Sequence, residues 1–362
     1  MKIKELYVSH GDIKGSKTDF DAVGSVASLV RKAKKLKLIQ YENYDYTLID
    51  YYNYSIEPLL TYHNKKIYLS DIPAESILFS SKHSSVEYVR DLLLRLKSQN
   101  NELIYVDHHP VSDVIRNIFY KFYEENLFLY LNLQNIDPKA SKSYTRECAT
   151  EMIQKYLFHY ENIKDDNILK TLRTFARDQD LGFRKLNEAT RISVVIGSDY
   201  NNKKLIEYLS DGIFWNDELQ ERYEYSMKKT QRLCQQLITT TREISFYKSR
   251  NKIKRNFVFA LTPKENGLKS TPAAIYLFDK YKPDFVVILN RHGFLSIRRD
   301  QKSKGISAGL IAKIFGGGGH ETASAAGNRK YNSSFPFDYI DESSFEAVVN
   351  KLVSIISKNY PP

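Results

Sequence analysis

The sequence predicts an α/β protein of two domains, a larger N-terminal domain on a parallel sheet joined by a helical linker to a smaller α/β domain. Three observations lead there. The chain has 362 residues, and single hydrophobic cores rarely grow beyond roughly 250–300 residues. Strand-like and helix-like segments alternate through the first half, the pattern of a parallel sheet flanked by helices. A long, charged helical stretch then precedes a second alternating set. The expected division is a first domain over 1–200, a linker over 201–250 and a second domain over 251–362.

In the first domain Lys4–Ser9 reads as a strand and Ala22–Lys37 as a helix. Lys66–Ser70 reads as a second strand, Ser84–Lys97 as a helix and Leu103–Val106 as a third, apolar strand. Helices are expected around Ser143–Phe158 and Asp166–Phe175, and a long charged helix over Asp217–Glu243. Beyond it, Asn256–Leu261, Phe285–Leu289 and Gly293–Arg298 read as strands, and Thr271–Tyr281 and Ser307–Phe315 as helices. No internal repeat or low-complexity linker is visible.

Composition narrows the class. The chain is 42% hydrophobic and 27% charged, which is globular and excludes a mainly disordered protein. The 27 tyrosines read first as genome-composition bias and only weakly as a stacking surface. A formal net charge of +11 favours phosphate-bearing partners, although a solvated Lys-rich surface accounts for charge equally well. The run Arg31, Lys32, Lys34, Lys35, Lys37 reads as the solvated end of a helix. Cys148 and Cys234 show neither zinc spacing nor a disulfide framework. The opening MKIKELYVSH is too short and polar for a signal peptide. No apolar run approaches the roughly 20 residues of a membrane span. The expected setting is a reducing compartment, the cytoplasm, with no membrane partner.

Acidic residues and histidines recur at the strand ends. The first strand runs into SHGD, with His10 and Asp12, and a polar loop leads to DFDAVGS, with Asp19 and Asp21. The next ends in LSDIP, with Asp71, and the third in YVDHHP, with Asp107, His108 and His109. FARDQDLGF adds Asp178 and Asp180. One aspartate at a strand end is ordinarily a turn or cap residue. Several on one sheet edge, two of them beside histidines, are harder to explain that way. Ligands in open sheets bind beyond the carboxyl ends of the strands, and converging carboxylates repel unless cations lie among them. Oxygen donors with a minority of imidazoles suit manganese or magnesium. Two such ions a few Å apart clamp a phosphate and activate a bridging water.

The second domain carries FGGGGHETASAAG, with Gly316–Gly319 and His320. Such a run allows close backbone approach and presents N–H groups to an anion. The small residues after His320 suggest a packed backbone crossing rather than a flexible loop. Arg298 and Arg299, at a strand end before it, are candidates to hold phosphate or carboxylate, with surface solvation an equal account of Arg299.

YVDHHP and GGGGHETASAAG, in this order, resemble the DHH phosphoesterases that carry the DHH-associated C-terminal domain, a group including nano-RNases, RecJ exonucleases and cyclic-di-AMP phosphodiesterases. The resemblance spans nearly the whole chain. It implies His10, Asp19 and Asp71 as ligands of one metal. It implies Asp21, Asp71, His108 and Asp178 as ligands of a second, with Asp71 bridging. Asp107 is implied near the metals, His109 at the scissile phosphate, and Arg298, Gly317, Gly318 and His320 in the grip on substrate. The sequence departs from the family in the longer spacing between His10 and Asp19. Either the loop bulges and the three groups still converge, or His10 and Asp12 have changed roles. Asp178 and Asp180 both fit the fourth motif; Asp178 is taken as the ligand and Asp180 as a cap of the next turn.

The implied activity is two-metal hydrolysis, with manganese or magnesium, of short single-stranded RNA or DNA or of nucleotides. Cleavage of cyclic dinucleotides is the alternative enzyme, and a catalytically inactive nucleotide-binding protein the alternative of another class. A homodimer is compatible with any of these.

Overall fold

The computed structural model describes residues 4–11, 18–36, 44–49, 56–79, 85–109, 111–133, 147–181, 183–198, 200–248, 251–265, 267–300, 302–303, 305–319, 322–326 and 339–359. Backbone contacts divide the chain into two compact units, Met1–Ser226 and Met227–Pro362.

The first unit opens with β1 (Lys4–His10), α1 (Phe20–Lys35), β2 (Tyr44–Ile49), β3 (Lys65–Ser70), α2 (Ala74–Phe79), α3 (Val86–Ser98) and β4 (Glu102–Asp107). It continues with α4 (Asp113–Glu124), β5 (Tyr130–Leu133), α5 (Ala149–Tyr160), α6 (Asn167–Asp180), α7 (Asn187–Ile196), α8 (Asn202–Ser210) and the start of α9 (Asp217–Gln235). The strands form one sheet in the order β2-β1-β3-β4-β5, parallel at every pairing. The expected α/β class and parallel sheet are therefore observed. β2 and β5 were not anticipated: YDYTLI and YLNL are short and rich in tyrosine and polar residues, without a clear apolar run.

Both sheet faces are buried, as parallel sheets require. Tyr7, Tyr68, Ile104 and Val106 face a core shared with α1, α5, α6, α7 and α8. Leu6, Val8, Ile67, Leu69 and Tyr105 face a second core with α2, α3 and α4. Helix α1 is buried along nearly its whole length, packed against α5, α6 and α8. Gly24 makes the α5 approach feasible, since a Cβ there would lie 2.8 Å from Thr150 Oγ1.

One expectation about α1 is corrected. Lys32 does not solvate the helix end; it is 1% exposed. Its Nζ lies 2.6 Å from Glu5 Oε1 and 2.6 Å from Glu161 Oε2, and it donates to Tyr68 Oη. Glu161 also pairs with Lys66 at 2.6 Å, and Glu5 accepts from Tyr7 Oη. Charge and hydrogen bonding are thus satisfied together, the condition for burying ions.

In the second unit β6 (Ile238–Lys248), β7 (Asn251–Leu261), α10 (Ser270–Tyr281), β8 (Phe285–Leu289) and β9 (Leu295–Arg299) are followed by α11 (Ala308–Ile314), β10 (Gly318–Gly319), β11 (Ala323–Ala326) and α12 (Phe345–Asn359). Its sheet has the order β10-β11-β9-β8-β7-β6. The helix expected through Glu243 stops at Gln235, and Ile238–Lys248 pairs with β7 along its length. ITTTREISFYK is rich in β-branched and aromatic residues, which override the charged pattern before it. The span 201–250 thus supplies α8 and the start of α9 to the first unit, and the end of α9 and β6 to the second.

Replacing Lys32 by Met leaves two buried carboxylates without their shared cation. A loss of about 3–5 kcal/mol is expected, read as a lower urea midpoint, with partial recovery when Glu5→Gln is added. An unchanged midpoint for Lys32→Met would show that the ammonium does not hold this end of the sheet.

Candidate metal centre

The strand order reverses between β1 and β3, the neighbours at the middle of the sheet. Crevices form where connections leave such a switch point in opposite directions. His10 is the last residue of β1, Asp71 follows β3 and Asp107 ends β4. Parallel pairing brings these ends to the same edge.

Asp71 stands at the centre of the cluster. Its φ is +58°, in the left-handed region that aspartate tolerates at a cost of order 1 kcal/mol, and its N–H is held by Val106 O at 3.2 Å. Its two oxygens face different groups. Oδ2 lies 3.0 Å from His10 Nε2, which is also 3.2 Å from Asp19 Oδ2. Oδ1 lies 3.2 Å from His108 Nε2 and 3.9 Å from His109 Nδ1. His108 Nε2 is also 3.7 Å from Asp21 Oδ2, and His108 Nδ1 is 3.4 Å from Asp180 Oδ2.

Each group is fixed by its own element. Asp19 caps α1, accepting from Ala22 N at 3.0 Å through Oδ1 and leaving Oδ2 toward His10. Asp21 lies in the first turn of α1, and its carboxylate accepts from Ala149 N at 2.6 Å and Thr150 N at 2.8 Å. These are N–H groups of the α5 N-terminus, where a carboxylate is favoured. Asp107 accepts from His109 Nδ1 at 2.7 Å, which orients that ring.

The longer spacing after His10 leaves His10, Asp19 and Asp71 converged; residues 12–17, with Asp12, lie outside the described residues. Among the described residues, three sets can each bring ligand atoms within 4.8 Å of one another: His10, Asp19 and Asp71; Asp21, His108 and Asp180; and Asp71, His108 and His109. Asp178 belongs to none of them, and its expected place is corrected. Its carboxylate accepts from Lys185 N at 2.8 Å and Leu186 N at 3.2 Å, tying down the turn after α6. Asp180 takes the place beside His108. Two residues apart on a helix means roughly 200° around it, so only one of the pair can face the cluster, and spacing alone does not say which. The hold of α5 on Asp21 was also not foreseen, because it joins residues 128 and 129 positions apart.

Two of the four clustered carboxylates, Asp19 and Asp71, are held low by the histidines, and two are raised. Burial together with the Asp71 and Asp180 carboxylates pushes the Asp21 carboxyl up to about 8, although two N–H groups bind it. Burial, offset in part by His108, leaves Asp180 raised to about 6. Burial alone would lower His10 and His108, but the facing carboxylates hold both well above the usual imidazole range. The buried Oδ2 atoms of Asp180 and Asp107 have no hydrogen-bond partner among the described residues, a costly arrangement without a cation. The donors are oxygens and imidazole nitrogens, a set that could hold metal ions.

In the second unit Arg298, Ser296, Ala325 and Gly318 share one sheet face through the β9–β11–β10 register, and Arg298 Nη2 donates to Ser270 Oγ at 3.2 Å. Arg299 is buried and donates to Ile306 O rather than solvating the surface. Gly317 lies at a tight backbone crossing, since a Cβ there would fall 2.1 Å from Ala325 O. His320 lies outside the described residues.

Ligation requires the deprotonated groups, whereas in the metal-free cluster Asp21 titrates near 8 and Asp180 near 6. Ion binding should therefore release protons. Affinity for manganese should rise between pH 6 and pH 8 by about tenfold per pH unit for each proton displaced. Calorimetry in buffers of different ionisation enthalpy measures both effects; a pH-independent affinity without proton release would contradict this charge balance.

No family model matches the chain, and no curated protein matches it. Among solved structures it is similar to a pGpG-specific phosphodiesterase, PggH, from Vibrio cholerae, with 10% identity over 99% of this chain and 100% of that one and a TM-score of 0.48. It is also similar to an exopolyphosphatase-related protein from Bacteroides fragilis, with 12% identity over 99% of this chain and 93% of that one and a TM-score of 0.44.

Proposed function

We propose that the chain is a two-metal phosphodiesterase of the DHH type that hydrolyses short single-stranded oligonucleotides or nucleotides. One observation carries this reading: the oxygens of Asp71 face separate His/Asp groups, Oδ2 toward His10 and Asp19 and Oδ1 toward His108 and Asp21. A single structural ion would not need a carboxylate shared between two such groups. Divalent ions bound there, manganese in this reading, would supply Lewis acidity toward phosphoryl oxygens and a water-derived nucleophile at neutral pH.

The chain's own residues supply the remainder. His109 is the most exposed of the three clustered histidines, at 30% of its side chain. Its Nδ1 is engaged by Asp107, which leaves Nε2 to meet a phosphate oxygen. Burial would lower its pKa, but Asp107 and Asp71 together raise it, favouring the cationic donor that a developing negative charge needs. Asp107 is thus the positioning partner of His109. In the second unit Arg298 and the Gly317–Gly318 backbone are the proposed grip on the nucleotide.

Asp71→Ala should lose nearly all activity and the bound ions while keeping its fold, measured by turnover, metal content and circular dichroism. His109→Ala should lower turnover by roughly 10²–10⁴-fold with the ions retained, and Asp107→Asn by about 10–100-fold. Purified protein with manganese would be offered a dinucleotide, a five-residue RNA, long single-stranded DNA, cyclic-di-AMP and adenosine 3′,5′-bisphosphate. Fastest cleavage of the short linear compounds is expected. Preference for the cyclic compound would move the substrate class, and no turnover of any with both ions bound would sink the reading.

A further inference from the structure

A cavity of about 600 Å³ lies away from the metal cluster, lined by Lys66, Tyr123, Leu129, Tyr130, Leu131, Asn132, Tyr156 and Tyr160. Its place follows from the fold. Ala149, the first residue of α5, meets Asp21, whereas Tyr156 and Tyr160 occupy the last turns of that helix. A 12-residue helix is about 18 Å long, so the cavity and the carboxylates lie at opposite ends of α5.

The lining is aromatic and open. The Tyr130 ring centroid lies 4.7 Å from that of Tyr156 and 4.9 Å from that of Tyr160. Tyr156 and Tyr160 stack at 5.4 Å. Tyr160 is 63% exposed, Leu129 51% and Tyr123 41%, so the aromatic wall presents itself to solvent instead of closing into the core. Among the described residues β5 is the last strand of its sheet, and the Asn132 side chain hydrogen-bonds the Tyr130 hydroxyl. The Lys66 ammonium lies 5.9 Å from the Tyr156 ring centroid and pairs with Glu161 at 2.6 Å.

We propose that this cup is a second ligand site, distinct from the metal centre, that binds a nucleobase. Tyrosine faces stack on any base, the polar rim of the base lies beside the linked Asn132 amide and Tyr130 hydroxyl, and the attached phosphate lies toward Lys66. An aliphatic ligand would gain no stacking on the rings, and a bare phosphate would not use them. The same chemistry is presented by a free mononucleotide or by one base of an oligonucleotide. The site does not depend on the proposed hydrolysis.

Calorimetry of the full chain in chelator, so that nothing turns over, tests this with adenosine 5′-monophosphate, ribose 5-phosphate and tetra-adenylate RNA. The nucleotide should bind and ribose 5-phosphate should not. Tyr160→Ala, a change at an exposed side chain, should weaken nucleotide binding about tenfold or more, and Tyr160→Phe should retain it. Binding should persist in an Arg298→Ala background, which removes the proposed grip of the second unit, and Tyr160→Ala should weaken it in that background as well. Equal affinity for the tetranucleotide would support a mononucleotide as the natural source, and tighter binding a strand. Unchanged affinity in Tyr160→Ala, loss in Arg298→Ala alone, or no nucleotide binding would overturn the proposal, whatever the outcome of the hydrolysis assays.

Discussion

The crowding of carboxylates at the C-terminal edge of the parallel sheet is the constraint on which the first unit is organised. Asp19, Asp21, Asp71 and Asp180 meet around His10 and His108 within a few Å. Like charges at such separations are opposed by both burial and repulsion: Asp21 and Asp180 are raised, whereas the histidines hold Asp19 and Asp71 low. The two histidines offset only part of it. The same donors could hold metal ions.

Holding such a cluster takes directed support. The N-terminus of α5 binds both oxygens of Asp21, the N-terminal turn of α1 binds Asp19, and a left-handed turn places Asp71. Asp178 acts one step further out by closing the turn after α6, at whose end Asp180 stands. At the opposite end of the sheet the Lys32, Glu5 and Glu161 network applies the complementary principle, burying charge of both signs in balance. One end of α5 therefore lies at a deliberately unbalanced cluster, and the other next to a neutralised one that borders the tyrosine cup.

Much of the first unit was legible from local pattern. The alternation of apolar strands and amphipathic helices located β1, β3, β4 and the helices α1, α3, α5 and α6, because buried parallel strands read as near-continuous apolar runs, whereas α2, α4, α7 and α8 were not anticipated. β2 and β5 did not read that way, since YDYTLI and YLNL are short and mix tyrosine with polar residues. The end of the long helix was misplaced for a related reason: a charged helix surface passes directly into a β-branched strand, and only its pairing with β7 decides the boundary. Lys32 looked like one more solvated lysine because its partners Glu5 and Glu161 are 27 and 129 positions away.

The sequence by itself determined the chemistry available: aspartates and histidines at the ends of successive strands, and a glycine run too costly in entropy to be idle. Strand ends need only local information, because an apolar run and its first polar residue are neighbours in the chain. Tertiary structure alone decided which of Asp178 and Asp180 faces the cluster, which oxygen of Asp71 serves which group, and that the α5 N-terminus would hold Asp21. Those outcomes depend on helix rotation and strand order, which are set by packing between segments distant in sequence. For the same reason the tyrosine cup could not be read beforehand, since Lys66, Tyr130 and Tyr160 meet only once β5 takes the edge of the sheet.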